Sequence, residues 1–436
     1  PVSIYSELAL PVPKSRAEIA SIQSKRKVVA VEHARKSQFW APRLEGINTA
    51  RLDDPDEWAR IPILNKDQLR ALSVEQFYTD FCIGGFDGVC EYWRSGGSTG
   101  KPLFYPRTYE DIRYNMIGFT RTFECAGVNA GERAHLSFPL GIHPAGHMWA
   151  RAGQIKGIGI NWAGSGTALP SIQQLELISM LQPTVWMGMS SYGLHLANLA
   201  DSLGFNLASN SVHTVLCTAE AVSAAKRTKM EREWGANLYD CFGMTEISML
   251  GAEGSSRNGF HIWTDLAYVE VLDPETWQPV PEGEPGRLVC TSLYSNNATP
   301  FLRWDSGDIV TWREHGDDDG PYSVFPVFRH AHRTAGFFKI SGINVNHQEF
   351  EDFLFQNREV NDFEAELLTN DTGLDLLQLS IEVRRGAELA LVAETVKAET
   401  KATFQVTPEV VLLETGTLAK EFELSVKAPR FMDKRE

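Results

Sequence analysis

Along "TYEDIRYNMIGFTRTFECAGV" (108–128) the apolar side chains Ile112, Met116, Phe119 and Phe123 recur at the spacing of one helical face. Thr108 and Asp111 stand at capping-box spacing just ahead of that stripe, which predicts a helix opening there. Further on the period changes. Short apolar runs at 184–189 (TVWMGM), 213–218 (HTVLCT) and 237–243 (NLYDCFG) read as buried strands. The segments between them, SYGLHLANLADSLG and SAAKRTKMEREWG, read as helices, the first closed by Gly204. Such alternation predicts a mostly parallel sheet covered on both faces.

Beyond Gly259 the texture is different. "LAYVEVLDPETWQPVPEGEPGRLVCTSL" is two strands with turn residues between them, an antiparallel β subdomain. From about Ala335 the helix "HQEFEDFLFQ" lies among strands, which predicts a small α+β domain joined through "RHAHRTAGF". The first hundred residues are helical and irregular, as in "DPDEWARIPILNKDQLR". The expected fold is therefore α/β. A large N-terminal domain (1–334) holds mixed, mostly parallel sheets plus a β subdomain, and a small C-terminal α+β domain spans 335–436.

Composition narrows the classes of function. Hydrophobic residues make up 43% and charged residues 22%, ordinary for a globular protein. The net charge of −15 argues against a nucleic-acid surface, and an anionic substrate must then be held by local groups. No apolar run reaches the length of a spanning helix, and the first thirty residues contain no signal-like stretch. Six cysteines without a Cys-x-x-Cys pair suggest reduced thiols. A cytoplasmic protein with no membrane partner is expected, and a homodimer is compatible with the sequence.

One segment demands more exposed backbone than any other. "SGGSTGK" supplies Ser95, Gly96, Gly97, Ser98, Thr99, Gly100 and Lys101, a glycine loop with hydroxyls and an ammonium suited to phosphate. It departs from the common nucleotide P-loop, since Ser95 replaces the first glycine and Pro102 the magnesium-binding hydroxyl. Pro102 also disfavours a helix starting within the loop, which is expected between the strands "VCEYWRS" and "PLFYPRT". Ligands of open α/β sheets sit at the carboxyl ends of strands. There "DCFGMTE" offers a ring (Phe242) for adenine, a hydroxyl (Thr245) for phosphate and a carboxylate (Glu246) for magnesium. The same residues would equally serve as a core phenylalanine followed by a helix cap. In "RWDSGD", Asp308 suits ribose hydroxyls or merely a turn.

Taken in order, "SGGSTGKP", "TAEA", "YDCFGMTE", "FLRWDSGD" and "KISGINVNHQEFEDFL" resemble the adenylate-forming acyl-CoA synthetase superfamily. "IPILNKDQLR", "QPTVWMGMSSYGLHLANLADSLG" and "GFHIWTD" resemble its phenylacetate–CoA ligase branch, and the likeness spans nearly the whole chain. The resemblance implies that ATP and a small-molecule carboxylic acid give an acyl-adenylate, which a thiol, usually coenzyme A, then attacks. By the same resemblance the loop Ser95–Lys101 wraps the β- and γ-phosphates, Phe242 stacks on adenine and Asp240 reaches its amino group. Gly243 and Met244 belong to the nucleotide site, Thr245 touches the α-phosphate, Glu246 holds Mg2+, and Asp308 and Arg333 complete the nucleotide contacts. Glu220 and Ala219 fall near the acyl pocket and nucleotide, Ile142, His143, Gly146 and His147 at the acid, and Gly342 at CoA. Lys427, in "TGTLAKEFELSVKAPRF", takes the place of the lysine that assists adenylation from a mobile C-terminal domain, with Lys420 as the fallback.

Departures from the pattern qualify this. The hinge keeps Arg333 but puts Ala335 and Gly336 where an acidic pair is usual, and Asp305 stands in place of an arginine. Ala252 and Gly254 occupy positions where the branch carries zinc-binding cysteines, so no zinc is expected, and His261 is read as an interior hydrogen-bonded histidine. His143 and His147 would bind a polar substituent or a second carboxylate, or serve the structure. An aryl or arylacetic acid is the first expectation. The alternatives are a small polar acid, or an acceptor that is an amine or a carrier-protein thiol. A nucleotide-binding scaffold without ligase activity would have no need of both "GMTE" and "SGGSTGK".

Overall fold

The computed structural model describes residues 10–94, 103–333, 337–340, 343–370, 375–418, 420–421 and 430–435, with the backbone alone at 331–333 and 337. The chain forms two compact units, one of Pro1–Gly131, Leu140–Gly159 and Tyr239–Thr334, the other of Glu132–Pro139, Ile160–Leu238 and Ala335–Glu436.

In the first unit the strands run in the order Ala267–Leu272, Gly286–Ser292, Trp304–Arg313, Val327–Arg333, Phe260–Ile262, Ser248–Glu253, Asn237–Met244, each antiparallel to the next. Short turns such as Thr245–Ile247 leave no room for the crossover that parallel pairing needs. A large apolar core fills this unit, with Trp40, Leu69, Phe81, Phe301 and Ile262 almost wholly buried. The predicted helix runs Tyr109–Cys125, and its capping box is formed reciprocally by Thr108 and Asp111. Asp111 also accepts from the backbone of Asn297 and Ala298, so the cap doubles as a tertiary tie.

The glycine loop is flanked as expected by an antiparallel pair, Val89–Arg94 and Phe104–Thr108, in which Trp93 faces Tyr105 and Tyr92 faces Pro106. A two-stranded ribbon has free edges, so the missing N–H of Pro106 need not break a ladder.

The second unit carries the parallel part of the fold, with Val185–Gly188 between Thr214–Cys217 and Arg133–Leu136. It also contains the smaller α+β assembly, with strands ordered Glu409–Leu413, Asp375–Val383, Val360–Thr369, Phe431–Asp433 and the helices His347–Gln356 and Leu389–Phe404. Within this unit helix Ala224–Trp234 holds the α+β part by polar groups. Lys226 pairs with Glu351 at 3.0 Å. The Lys229 ammonium donates to the carbonyls of Val360 (2.7 Å) and Asn361 (2.5 Å).

Candidate active site

The strand that leaves the glycine loop does more than close it. Tyr105 and Arg107 lie on one face of Phe104–Thr108, and both are fully buried. Tyr105 donates its hydroxyl to Oε1 of Glu246 at 2.9 Å. The Arg107 guanidinium donates to the carbonyls of Thr245 (2.7 Å) and Glu246 (2.9 Å) and to the Thr299 hydroxyl (2.7 Å). Burial pulls its pKa below the ordinary value, opposed by the charges of Asp111 and Glu246. A charged donor on two successive carbonyls fixes the turn firmly, because each such bond is stronger than a neutral one.

That turn, Thr245–Ile247, joins the ends of two strands in which Met244 faces Ser248. Gly243 is required here, since a Cβ would meet the Ser248 carbonyl at 2.7 Å. Ser248 itself sits at φ +107°, a strained value for a residue with a side chain, of the kind that gathers at functional sites. Glu246 is buried and Thr245 half-buried, so the carboxylate is held while the hydroxyl borders solvent.

Phe242, the expected adenine platform, is half-buried, with Phe260 (5.5 Å between centroids) and His330 (6.1 Å) beside it. His330 links this ring to Asp308, donating Nε2–H to Oδ1 at 3.2 Å. Asp308 is buried, follows Gly307 in the left-handed region (φ 77°), and faces Arg333 in the strand register. Asp240 is buried beneath them, its Oδ1 accepting the Cys241 N–H. Asp305, the substituted position, forms an ion pair with Arg287 at 2.8 Å and accepts the Gly307 N–H, so it shapes the turn that presents Asp308.

In the same unit His143 precedes helix Pro144–Ile155, and Ile142 is exposed beside it. His147, one turn into the helix near buried Gly146, accepts the Gly141 N–H on Nε2 at 2.8 Å, so this ring holds the loop before the helix. Trp149 is fully buried and donates to Thr122 at 2.8 Å, which assigns it to helix packing and not to a pocket wall.

Ala219 and Glu220 belong to the second unit. Ala219 takes φ 73° immediately before Glu220. The Glu220 carboxylate accepts from the Ser191 N–H (3.0 Å), the Ser191 hydroxyl (2.8 Å) and the Ser190 hydroxyl (3.2 Å), at the start of helix Ser190–Ser202. Burial would push its pKa up, but the Lys226 charge and the Ser191 bonds outweigh it and hold it low, so the group is ionised.

The loop Ser95–Lys101, Lys427 and Gly342 lie outside the described residues, and Arg333 is described by its backbone alone. Lys420 is described and exposed. Tyr105, Arg107 and His330 are the residues that motif reading missed. The one sequence signal for the first two was a tyrosine and an arginine alternating in an otherwise apolar strand. Among the described residues no cluster of three or more His, Cys, Asp or Glu is placed to hold a metal. His261 hydrogen-bonds Asp318 at 3.0 Å. A Cβ on Gly254 would meet that aspartate at 2.7 Å.

Residues 95–294 match the family described as AMP-binding enzyme, a span that contains the loop, the strand Phe104–Thr108 and the Thr245–Glu246 turn that this strand fixes. Among curated proteins the chain is 26% identical to a phenylacetate-coenzyme A ligase of Pseudomonas putida, over 87% of this chain and 85% of that one. It is 24% identical to a phenylacetate-coenzyme A ligase of Aromatoleum evansii over the same shares. Among solved structures, a 2-hydroxyisobutyryl-CoA ligase in the postadenylation state superposes with a TM-score of 0.83 at 20% identity, over 97% of this chain and 91% of that one. The fold is therefore that of adenylate-forming CoA ligases.

Proposed function

We propose that this protein is an AMP-forming acid–thiol ligase, which activates a small polar carboxylic acid with ATP as an acyl-adenylate and passes the acyl group to coenzyme A. The observation that carries this reading is the clamp of Tyr105 and Arg107 on the Thr245–Glu246 turn. It ties the strand leaving the phosphate loop to the one hydroxyl and one carboxylate that an α-phosphate and its cation would use.

A carboxylate attacking a phosphate brings negative charges together, so catalysis here is positioning and charge neutralisation. The loop Ser95–Lys101 would take the outer phosphates, Thr245 the α-phosphate, Phe242 the adenine, and Asp308, braced by His330, the ribose. Glu246 fits magnesium by its chemistry, because a buried carboxylate with one oxygen engaged by Tyr105 has its other oxygen to offer, and the ion would neutralise phosphate charge. Lys427 would supply the remaining positive charge at the forming bond, and Gly342 would border coenzyme A.

The similar proteins point both ways, to an aryl acid in the ligases of Pseudomonas putida and Aromatoleum evansii and to a short hydroxy acid in the superposed structure. Two features favour the small polar acid. Trp149 is spent on helix packing, and the residues where an aryl pocket would open are His143 and His147. The test is pyrophosphate release from ATP with a panel of short polar and aryl acids, with and without CoA. Faster turnover of short polar acids, with thioester formed only when CoA is present, is expected. Adenylation without any thioester would move the acceptor to an amine or carrier thiol, and a preference for aryl acids would reverse the substrate reading.

A further inference from the structure

Helix Tyr109–Cys125 buries an asparagine that has no partner among the described residues. Asn115 is 2% exposed, and neither its Nδ2 nor its Oδ1 meets a hydrogen-bonding group there. Leaving a buried polar group unsatisfied costs about 1–3 kcal/mol, and native interiors rarely tolerate it without a reason. A leucine at this point would pack beside Ile112 and Phe119 at no such cost. A second polar side chain in the same state is Ser248, 8% exposed, with its Oγ also partnerless.

Both flank the site. Arg107, just before the helix, holds the carbonyls of Thr245 and Glu246, while Gly118 lies so close to Met249 that a Cβ would meet its carbonyl at 2.5 Å. The chain is thus tied to Thr245 and Glu246 just before the helix and to Met249 at Gly118, and Asn115 falls between these two ties, one turn before Gly118. Ser248 is two residues past Glu246, at the register position opposite Met244. On its other side the helix runs alongside Pro144–Ile155. Phe119 is 6.4 Å from Trp149, Thr122 accepts from Trp149, and Glu124 pairs with Lys156, so the two helices advance together. One turn before Phe119, Asn115 falls on the stretch of helix that precedes these contacts, toward the end of Pro144–Ile155 that carries His147. None of the nucleotide contacts assigned above uses either side chain.

We propose that Asn115 and Ser248 form the specificity contact for a hydroxyl group on the acid. The amide offers one donor and one acceptor face, and the serine hydroxyl can do either. The ligand that satisfies such a pair is uncharged and both donates and accepts, which describes an alcohol. A second carboxylate would want a cation that neither residue supplies, and an aryl ring would leave both unsatisfied. A site built this way rejects the analogue lacking the hydroxyl, because its own polar groups then stay buried and unpaired. The substrate class becomes a short hydroxy acid, and this rests on the ligase reading above.

The test compares matched acids, 2-hydroxy and 3-hydroxy short-chain acids against their deoxy parents, by pyrophosphate release. The wild type should favour one hydroxy acid over its parent by tenfold or more in kcat/KM. Asn115→Leu, near in size, should bring that ratio close to one, and Ser248→Ala should narrow it. Asn115→Ser, which keeps polarity, should retain part of the preference, and melting curves separate folding defects from recognition. No preference in the wild type, a preference that survives Asn115→Leu, or equal loss with both acids would overturn the proposal and leave Asn115 to a buried water. If no acid supports pyrophosphate release, the ligase reading has failed. Calorimetric binding of the hydroxy acid and its parent to wild type and Asn115→Leu then decides the contact by itself.

Discussion

Replacing Tyr105 by phenylalanine removes its donor to Glu246. The ring stays among Phe77 and Phe301, whose centroids lie 6.0 and 5.4 Å away, so packing is conserved while the bond to Glu246 Oε1 is lost. A hydrogen bond to a charged group contributes about 1.5–3 kcal/mol. If that bond holds Glu246 for the cation of the bound triphosphate, its loss should slow pyrophosphate release by about 10- to 150-fold, the same energy expressed as a rate. The magnesium concentration for half-maximal release should rise. Once pyrophosphate has left, the group is no longer needed, so a synthetic acyl-adenylate should still be converted to thioester by CoA at nearly the wild-type rate. The two half-reactions can be followed separately, by pyrophosphate and by loss of free thiol. Equal damage to both, or an unchanged magnesium titration with slowed release, would refute the role given to Glu246.

Gly243→Ala should abolish most adenylation while the fold survives, because the new Cβ meets the Ser248 carbonyl at 2.7 Å and must shift the turn; wild-type pyrophosphate release would contradict it. Burial pulls the Lys229 pKa down to about 7, so the unfolded chain binds more protons between about pH 7 and 10 and stability should rise with pH there. Lys229→Met should flatten that slope in denaturant titrations, even though it leaves the carbonyls of Val360 and Asn361 without their donor. His195, pulled down to about 4 by burial, is neutral in the fold, so stability should fall as pH drops from about 6.5 to 4, and His195→Asn should lessen the fall.

Much of this was legible in one sequence because it is local. The capping box at Thr108 and Asp111, the stripe through Phe123, the hairpin signals around Gly286 and the order of five motifs each follow from neighbours in the chain. Asp308 stood out only as a carboxylate after a strand, since its partner His330 comes from a different strand. Tyr105 and Arg107 were illegible for the same reason: their acceptors lie far along the chain, and only tertiary packing brings Thr245 and Glu246 to them. Asn115 was hidden inside an apolar stripe, where periodicity alone counts it as helix surface.

The alternation of Tyr105 and Arg107 about Pro106 sets a limit on how this gene can vary. Side chains two apart in a strand share a face, and a single insertion or deletion between the loop and Thr108 would exchange that face for the one bearing Phe104 and Pro106. Neither of those can donate from its side chain to the turn at Glu246. Lengthening the glycine loop itself would leave the phase of the strand intact. Viable length variants should therefore carry their extra or missing residues before Leu103, and any that carry them after it should need a second, compensating change before Thr108 to restore the phase.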